Sequence, residues 1–495
     1  MTYYQKLEQH AKKLSKISHL SAICSWDQAA KMPEGGNAAR SEAMAELALI
    51  HHELATAPSL AEWFAKAEAE PLSKEQKISL HEMKRVWQMD NILPADLVEK
   101  KSLAGSKCEH AWRTQRKENN WHEFSQNLEA VVKLAREEAQ IRAEATGLSR
   151  YDAMMDLYEP GMTCEKIDSI FGQVKTWLPA LIQQVRAKQA SDQVIRPKGP
   201  FPIAQQKALS LDIMSKLGFD FRHGRLDVST HPFCGGVPTD VRITTRYDEA
   251  DFTSALMGVI HETGHARYEQ GLPEQWHGLP VGQARSMGIH ESQSLFFEMQ
   301  LSRSKPFIEI LAPLAREAFD RNNDKALSTD NLSLFSTRVE PGYIRVDADE
   351  VTYPAHIILR YEIERDLIEG KIEVADIPEL WDKKMTEYLG LSTKGNFTDG
   401  CMQDIHWTDG SFGYFPSYTL GAMYAAQFMA AMRREMNVEN LIRERNLQPI
   451  FNWLDRHIWK KASFLSTDNL LKEATGETLN PDHFKAHLES RYLED

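Results

Sequence analysis

The chain has 495 residues and a formal net charge of −13, with 42% hydrophobic and 26% charged residues. This is the balance of a soluble globular protein, and it argues against a nucleic-acid surface, which needs clustered positive charge. No apolar run approaches the roughly 18 residues that span a bilayer, so no membrane partner is expected.

The opening stretch, MTYYQKLEQHAKKLSKISHL, lacks the apolar core of a signal peptide and is read as part of the folded body. Five cysteines, Cys24, Cys108, Cys164, Cys234 and Cys401, stand far apart with no CxxC pair. That pattern fits free thiols in a reducing cytoplasm. Apolar residues at three- and four-residue steps predict helices over 38–57, 74–89, 95–117, 121–145 and 164–188. Pro202 is placed at the first position of a further helix reaching about Leu217. The pattern then changes. RLDVST and DVRITT alternate and are rich in Val, Ile and Thr, so they read as strands of a small antiparallel hairpin, with the Gly- and Pro-containing CGGVPTD as the loop between them. A helix over 251–270 follows, with Gly271 as its stop. Helical signals resume over 289–304, 348–369, 420–433 and 449–461. No linker or repeat is visible, so residues 1–495 read as one mainly α body, with the candidate site core at about 218–421.

The helix over 251–270 carries HETGH. Residues i and i+4 share a helix face one turn apart, so His261 and His265 can converge on one zinc ion. Glu262 lies about 100° around the helix, where a carboxylate can take a proton from the attacking water. The bland alternative is an amphipathic helix that happens to carry two histidines. Gly264 weighs against it, because a glycine inside a helix costs about 1 kcal/mol relative to alanine and calls for a crowded site. A catalytic zinc takes three protein ligands. Glu269 lies too far along the helix and suits a supporting or surface role. Glu291, in GIHESQSLFFEMQ, is a carboxylate beside core residues Leu295, Phe296 and Met299; its alternative is an acidic residue favoured near a helix start. His261, His265 and Glu291 form the proposed ligand set, and Glu262 the general base.

Short motifs beyond HETGH carry a resemblance. HPF stands at 231–233, DVRIT at 240–244, HESQ at 290–293, IRVDAD at 344–349 and GCMQDIHW at 400–407. In this order the chain resembles the thermostable (Taq) carboxypeptidase family, peptidase family M32. The resemblance implies a two-lobed helical zincin-type metallopeptidase with a deep groove. It also implies release of C-terminal residues one at a time, broad specificity with reluctance near proline, zinc or sometimes cobalt, and a homodimer. A carboxypeptidase must hold a terminal carboxylate, which suits the planar fork of arginine. Arg345 is the first candidate and matches the family's arginine for this role; Arg242 is the second. The alternative for each is a structural ion pair with an aspartate such as Asp347 or Asp240. His406 and Tyr418 are expected to meet the scissile carbonyl, with Tyr414 as a further candidate and His231 as a substrate contact. The DVRITT strand offers a place for an extended substrate to pair by strand addition. Competing readings are an oligopeptide endopeptidase, a dipeptidyl carboxypeptidase, or a non-catalytic zinc-containing binding protein, the last disfavoured by the presence of Glu262.

Overall fold

The computed structural model describes residues 1–494. Helices Asn37–Ala55, Lys74–Asn91, Ala95–Gln115, Trp121–Thr146 and Cys164–Gln189 stand where the periodicity placed them. The opening stretch forms a long helix, Tyr3–Ala30, whose start is closed by a reciprocal Thr2–Gln5 capping box. Pro202 sits just before the helix Ile203–Lys216 rather than at its first position. Most helices share one large core. Tyr4, Leu7, Leu60, Phe64, Leu80 and Met83 make a smaller, separate core among the N-terminal helices.

The sheet differs from its expected form. It has three strands, β1 (Gly224–Val228), β2 (Phe233–Val237) and β3 (Asp240–Thr245), in the order β1–β3–β2. The two alternating runs, β1 and β3, lie parallel, with Arg225 opposite Arg242. The antiparallel hairpin is made instead by β2 and β3, with Cys234 opposite Ile243. Glycines made Cys234–Val237 read as a loop. In the fold, Gly236 takes φ +98° against the Asp240 carbonyl, a conformation and approach that a side chain would block. Because β3 is paired on both sides, it has no free edge for an extended substrate; the edges belong to β1 and β2. Val241 and Ile243 pack on Val259 and Ala266, so the sheet braces the HETGH helix.

That helix spans Phe252–Gly271, with the Asp251 side chain accepting from the Thr253 amide. Gly271 is its last residue, not a left-handed stop. A Cβ there would lie 2.6 Å from Trp459 Cε3, so ring packing requires the glycine. The next segment forms helix Met287–Leu295 and then widens into π-type turns over Phe296–Ser302. Its first turn is tightly satisfied. Ser286 Oγ accepts from the Ile289 amide at 3.1 Å, the Tyr158 carbonyl from Met287, and the buried Glu159 carboxylate from Gly288. The helix read over 348–369 begins only at Tyr353, because Asp349 captures the Val351 and Thr352 amides in a turn that precedes it. Helix Pro416–Glu435 starts earlier than read, with Pro416 in its first turn. The last segment forms helix Gln448–His457 and a separate turn, Trp459–Lys461.

Two glycines let three helices meet almost backbone to backbone. A Cβ on Gly264 would clash with the Gln293 carbonyl and lie 2.6 Å from Ser294 Cα. A Cβ on Gly421 would lie 2.8 Å from Glu291 Cβ. Helix Met287–Leu295 is thus gripped between the HETGH helix and Pro416–Glu435. Gly264 serves this helix crossing, rather than relieving crowding at a metal. Gly264→Ala should therefore lower stability by about 1–3 kcal/mol through overpacking, although alanine favours an isolated helix. Thermal melts together with metal titration should show both a lower Tm and weaker metal uptake.

The C-terminus is tied to the segment that follows Arg345. Glu350 is buried and accepts from His487 Nε2 at 2.7 Å, Arg491 Nη1 at 3.1 Å and Tyr492 Oη at 2.9 Å. Burial alone would raise its carboxyl, but His487, Arg491 and Tyr492 hold it at about 2. His487 itself is pushed down by burial, so Arg491 is the counter-charge and the imidazole mainly a hydrogen-bond donor. The carboxylate's stabilising contribution is full above its ordinary value of 4.5 and is lost as the pH falls toward about 2. Glu350→Ala should cost about 3–5 kcal/mol at neutral pH, because Arg491 is left buried and unpaired. Denaturant titration should show that deficit shrinking as the pH is lowered through this window.

Candidate metal centre and peptide site

The crossing described above brings His261, His265 and Glu291 together. One donor atom from each lies within 4.8 Å of the others. Glu291 Oε2 is 3.4 Å from His265 Nε2 and 3.8 Å from His261 Nε2. Ser294 Oγ lies 3.3 Å from the same oxygen, with its shorter bond, 2.7 Å, to the Glu291 carbonyl. All three residues are largely withdrawn from solvent.

The opposite nitrogens are engaged by groups that sequence reading missed. His261 Nδ1 lies 2.9 Å from Glu298 Oε2, and Glu298 also accepts from Arg303 Nη2 at 2.9 Å. His265 Nδ1 lies 2.6 Å from His290 Nδ1, and His290 Nε2 lies 2.8 Å from Glu269 Oε1. One assignment of protons satisfies every contact. Nδ1–H of His261 points to Glu298. Nδ1–H of His265 points to His290, whose Nε2–H points to Glu269. Both Nε2 lone pairs are then free and face Glu291. Two imidazoles and a carboxylate with oriented supporting acceptors fit a divalent metal of the zinc type. The signal for Glu298 was present as a lone acid in the apolar run LFFEMQ, and His290 stands beside Glu291 in HESQ. Glu269, read as a supporting or surface residue, meets His290.

The charges are strongly coupled. Burial works against a charged His261, but Glu291, Glu298 and Glu262 raise it to about 10, so a metal binding there must displace a proton from Nε2 to reach the neutral arrangement. Burial works against ionised Glu291 as well, and His261 and His265 bring it down to about 2. His265 is lowered to about 4 by burial and its neighbouring histidines. Glu262 is buried and hydrogen-bonds to no described residue. Burial raises it to about 7, with Glu291 reinforcing and His261 opposing. A carboxyl poised near neutrality can accept and return a proton.

The remaining candidates fall into two places. His406 Nε2 lies 3.1 Å from Tyr418 Oη. Tyr418 is edge-on to Tyr414 at 5.1 Å and to Tyr353 at 6.3 Å, and Tyr414 is edge-on to Tyr158. Tyr418 stands one turn before Gly421, which lies directly against the Glu291 side chain, and this puts the aromatic wall beside the three-donor cluster. Arg345 is buried, and its partner is not Asp347. Its Nε donates to Asp404 at 2.9 Å and its Nη1 to Tyr353 Oη at 2.9 Å. Its backbone amide donates to Gln403 Oε1 at 2.8 Å, which joins the IRVDAD and QDIHW segments. Elsewhere, Arg242 is held by Asp240 at 2.5 Å and stacks 4.5 Å from the Trp26 ring of the N-terminal helix. His231 is exposed, and only its backbone carbonyl is bonded, by Ser229 Oγ at 2.6 Å. Tyr353 and Asp404 were not singled out from sequence, because their importance lies in what they hold.

The sequence matches the family described as carboxypeptidase Taq (M32) metallopeptidase over residues 6–492. It is 35% identical to thermostable carboxypeptidase 1 of Thermus thermophilus, across 99% of this chain and 98% of that protein. It is 34% identical to carboxypeptidase 1 of Bacillus subtilis, across 99% and 98% of the two chains. Among solved structures, metallocarboxypeptidase 1 of Trypanosoma cruzi superposes with a TM-score of 0.97 at 47% identity, covering 99% of each chain. The Pyrococcus furiosus carboxypeptidase gives 0.95 at 30% identity, covering 100% of this chain and 99% of that one. Likeness of this extent, over a fold whose helix crossing assembles a three-donor cluster beside a buried glutamate, makes the chain a member of the carboxypeptidase Taq (M32) family and a metallocarboxypeptidase.

Proposed function

We propose that this metallocarboxypeptidase is a zinc enzyme, with cobalt able to substitute. It removes single C-terminal residues from peptides with broad side-chain tolerance and poor cleavage near proline, and it works in the cytoplasm as a homodimer. The observation that carries the reading is the His261–His265–Glu291 cluster with Glu262 unbonded beside it. Two imidazoles and one carboxylate form a borderline-soft donor set that suits zinc. The metal nature, the cleavage rule and the homodimer follow the family resemblance.

Zinc held there would supply Lewis-acid polarisation of the scissile carbonyl and a more acidic attacking water. Glu262 takes the proton from that water and delivers it to the leaving amine. Tyr418 offers its hydroxyl to the oxygen that becomes negative as the carbonyl is attacked. His406 serves it best with Nε2–H donating to the phenol oxygen, which leaves the Tyr418 proton free for substrate. Burial lowers His406 to about 4, Arg345 and Arg360 adding to this and Asp404 opposing, so the imidazole is neutral in this role. Arg345 receives the terminal carboxylate. Its Nη2 has no hydrogen bond among the described residues, while Asp404 and Tyr353 fix the rest of the fork. Arg242 and His231 are left as contacts to more distant parts of a peptide, and Tyr414 as a wall of the site.

An endopeptidase would share the metal cluster but need no receptor for a chain terminus. Mass spectrometry of a digested peptide should show a ladder shortened from the C-terminus, abolished by chelator and restored by zinc. The C-terminal amide of the same peptide should survive; internal cuts, or equal cleavage of the amide, would establish an endopeptidase instead. Glu262→Gln should keep the metal, by elemental analysis, while kcat falls by about two to four orders of magnitude. Near-normal turnover in that variant would remove Glu262 from the chemistry.

A further inference from the structure

The proposed carboxylate receptor is one member of a buried cluster whose charges do not cancel. Asp404 divides its two oxygens between two arginines. Oδ1 takes Arg345 Nε at 2.9 Å, and Oδ2 takes Arg360 Nε at 2.6 Å. The Arg345 and Arg360 side chains are 8% and 0% exposed, and that of Asp404 is 10%. Arg360 comes from the middle of helix Tyr353–Ile368, with Nη1 donating to the His356 carbonyl at 2.8 Å and Nη2 buried without a partner. Its plane lies against Trp381, 4.5 Å from the ring. The other neighbours bring no compensating anion. His356 is fully buried with neither ring nitrogen hydrogen-bonded; His406, Tyr353 and Tyr418 are neutral polar groups. The nearby carboxyl of Glu364 is occupied by Tyr151, Trp407 and the Gly413 amide, and it touches neither arginine.

Two guanidinium groups thus share one carboxylate in a place shielded from water. A buried charge without a counter-charge is costly, and it attracts an anion more strongly than a matched pair does. We infer that Arg360 is a positioning residue for substrate binding: by claiming half of Asp404, it leaves one positive charge unmatched at Arg345, which the substrate's terminal carboxylate neutralises. Without Arg360, Asp404 would pair one-to-one with Arg345 and blunt the receptor. This rests on the reading of Arg345 as that receptor.

The test compares kcat and KM for an N-blocked dipeptide with a free carboxylate, and the small residual kcat/KM for its C-terminal amide, on zinc-loaded enzyme. Arg345→Met examines the receptor itself and should erase the preference for the free acid; if the preference persists, the receptor reading fails whatever Arg360 does. Arg360→Met should raise KM for the free acid by about tenfold, with kcat changed by less than about threefold and zinc content and amide cleavage unchanged. Arg360→Met/Asp404→Asn removes both partners and again leaves Arg345 unmatched, so KM should return to within a few-fold of the parent. A structural role predicts the opposite order, with the double variant worse than the single. If Arg360→Met does not fold, the double variant and Arg360→Lys decide alone, and both should keep KM within a few-fold of the parent. An unchanged KM in Arg360→Met overturns the inference, as does a tenfold rise in the double variant.

Discussion

Most of the site depends on one contact, the backbone-to-backbone crossing of the HETGH helix with helix Met287–Leu295 at Gly264. With no Cβ at Gly264, the carbonyl of Gln293 and the Cα of Ser294 close onto the helix axis. Helices in ordinary contact run 8–10 Å apart, held off by their side chains; a glycine at the crossing removes one of those spacers. Glu291 lies one turn before the contact and is thereby carried to His261 and His265. Gly421 repeats the device on the other side, where helix Pro416–Glu435 closes directly over the Glu291 side chain. Because helix Met287–Leu295 is held on both faces, its carboxylate has little freedom to retreat from the cluster. The loss of helix propensity at Gly264 is offset by the packing that its absent side chain permits.

Around this crossing, the protein pairs most of its buried charges and leaves two places without a matching partner. Glu298 holds His261 and is itself held by Arg303. Glu269 ends a relay through His290 to His265. Glu350 ties the C-terminal helix to the segment after Arg345. Glu159 and Glu364 accept backbone amides at the start of the Glu291 helix and before helix Pro416–Glu435, so carboxylates set the ends of the elements that carry the site. Glu262 departs from this habit, being buried and unbonded, with its carboxyl raised to about 7. The Arg345–Asp404–Arg360 cluster departs in the opposite sense, with one cation in excess.

The sheet has a supporting part. Parallel pairing of β1 with β3 and antiparallel pairing with β2 make β3 the central strand, and its apolar face backs the HETGH helix. Arg242 points from that strand to Asp240 and Trp26, so the DVRIT motif joins the N-terminal helix to the sheet. This ties the N-terminal helices, with their separate small core, to the element that carries two of the three donors.

What the sequence determined by itself was whatever is written in local spacing. The 3.6-residue period defines most helices, and the i, i+4 histidines with a glutamate between them place two donors of the three-donor cluster on one face with a carboxyl beside them, because a helix turns that spacing directly into a shared face. The alternation of DVRITT marked a strand, and the ordered motifs marked the family. Tertiary structure decided what depends on partners distant in the chain. The strand pairing differs from the expected hairpin because alternation records burial of a face, not the direction or identity of the neighbour. Gly271 reads locally as a helix stop, yet Trp459, 188 positions away, explains it. Asp347 is the sequence-near choice for Arg345, whereas Asp404, 59 positions away, is its actual partner; Asp240, the near choice for Arg242, does hold it. Glu298, Tyr353 and Arg360 drew no notice, because a buried polar side chain in an apolar run becomes meaningful only once the group it meets is known.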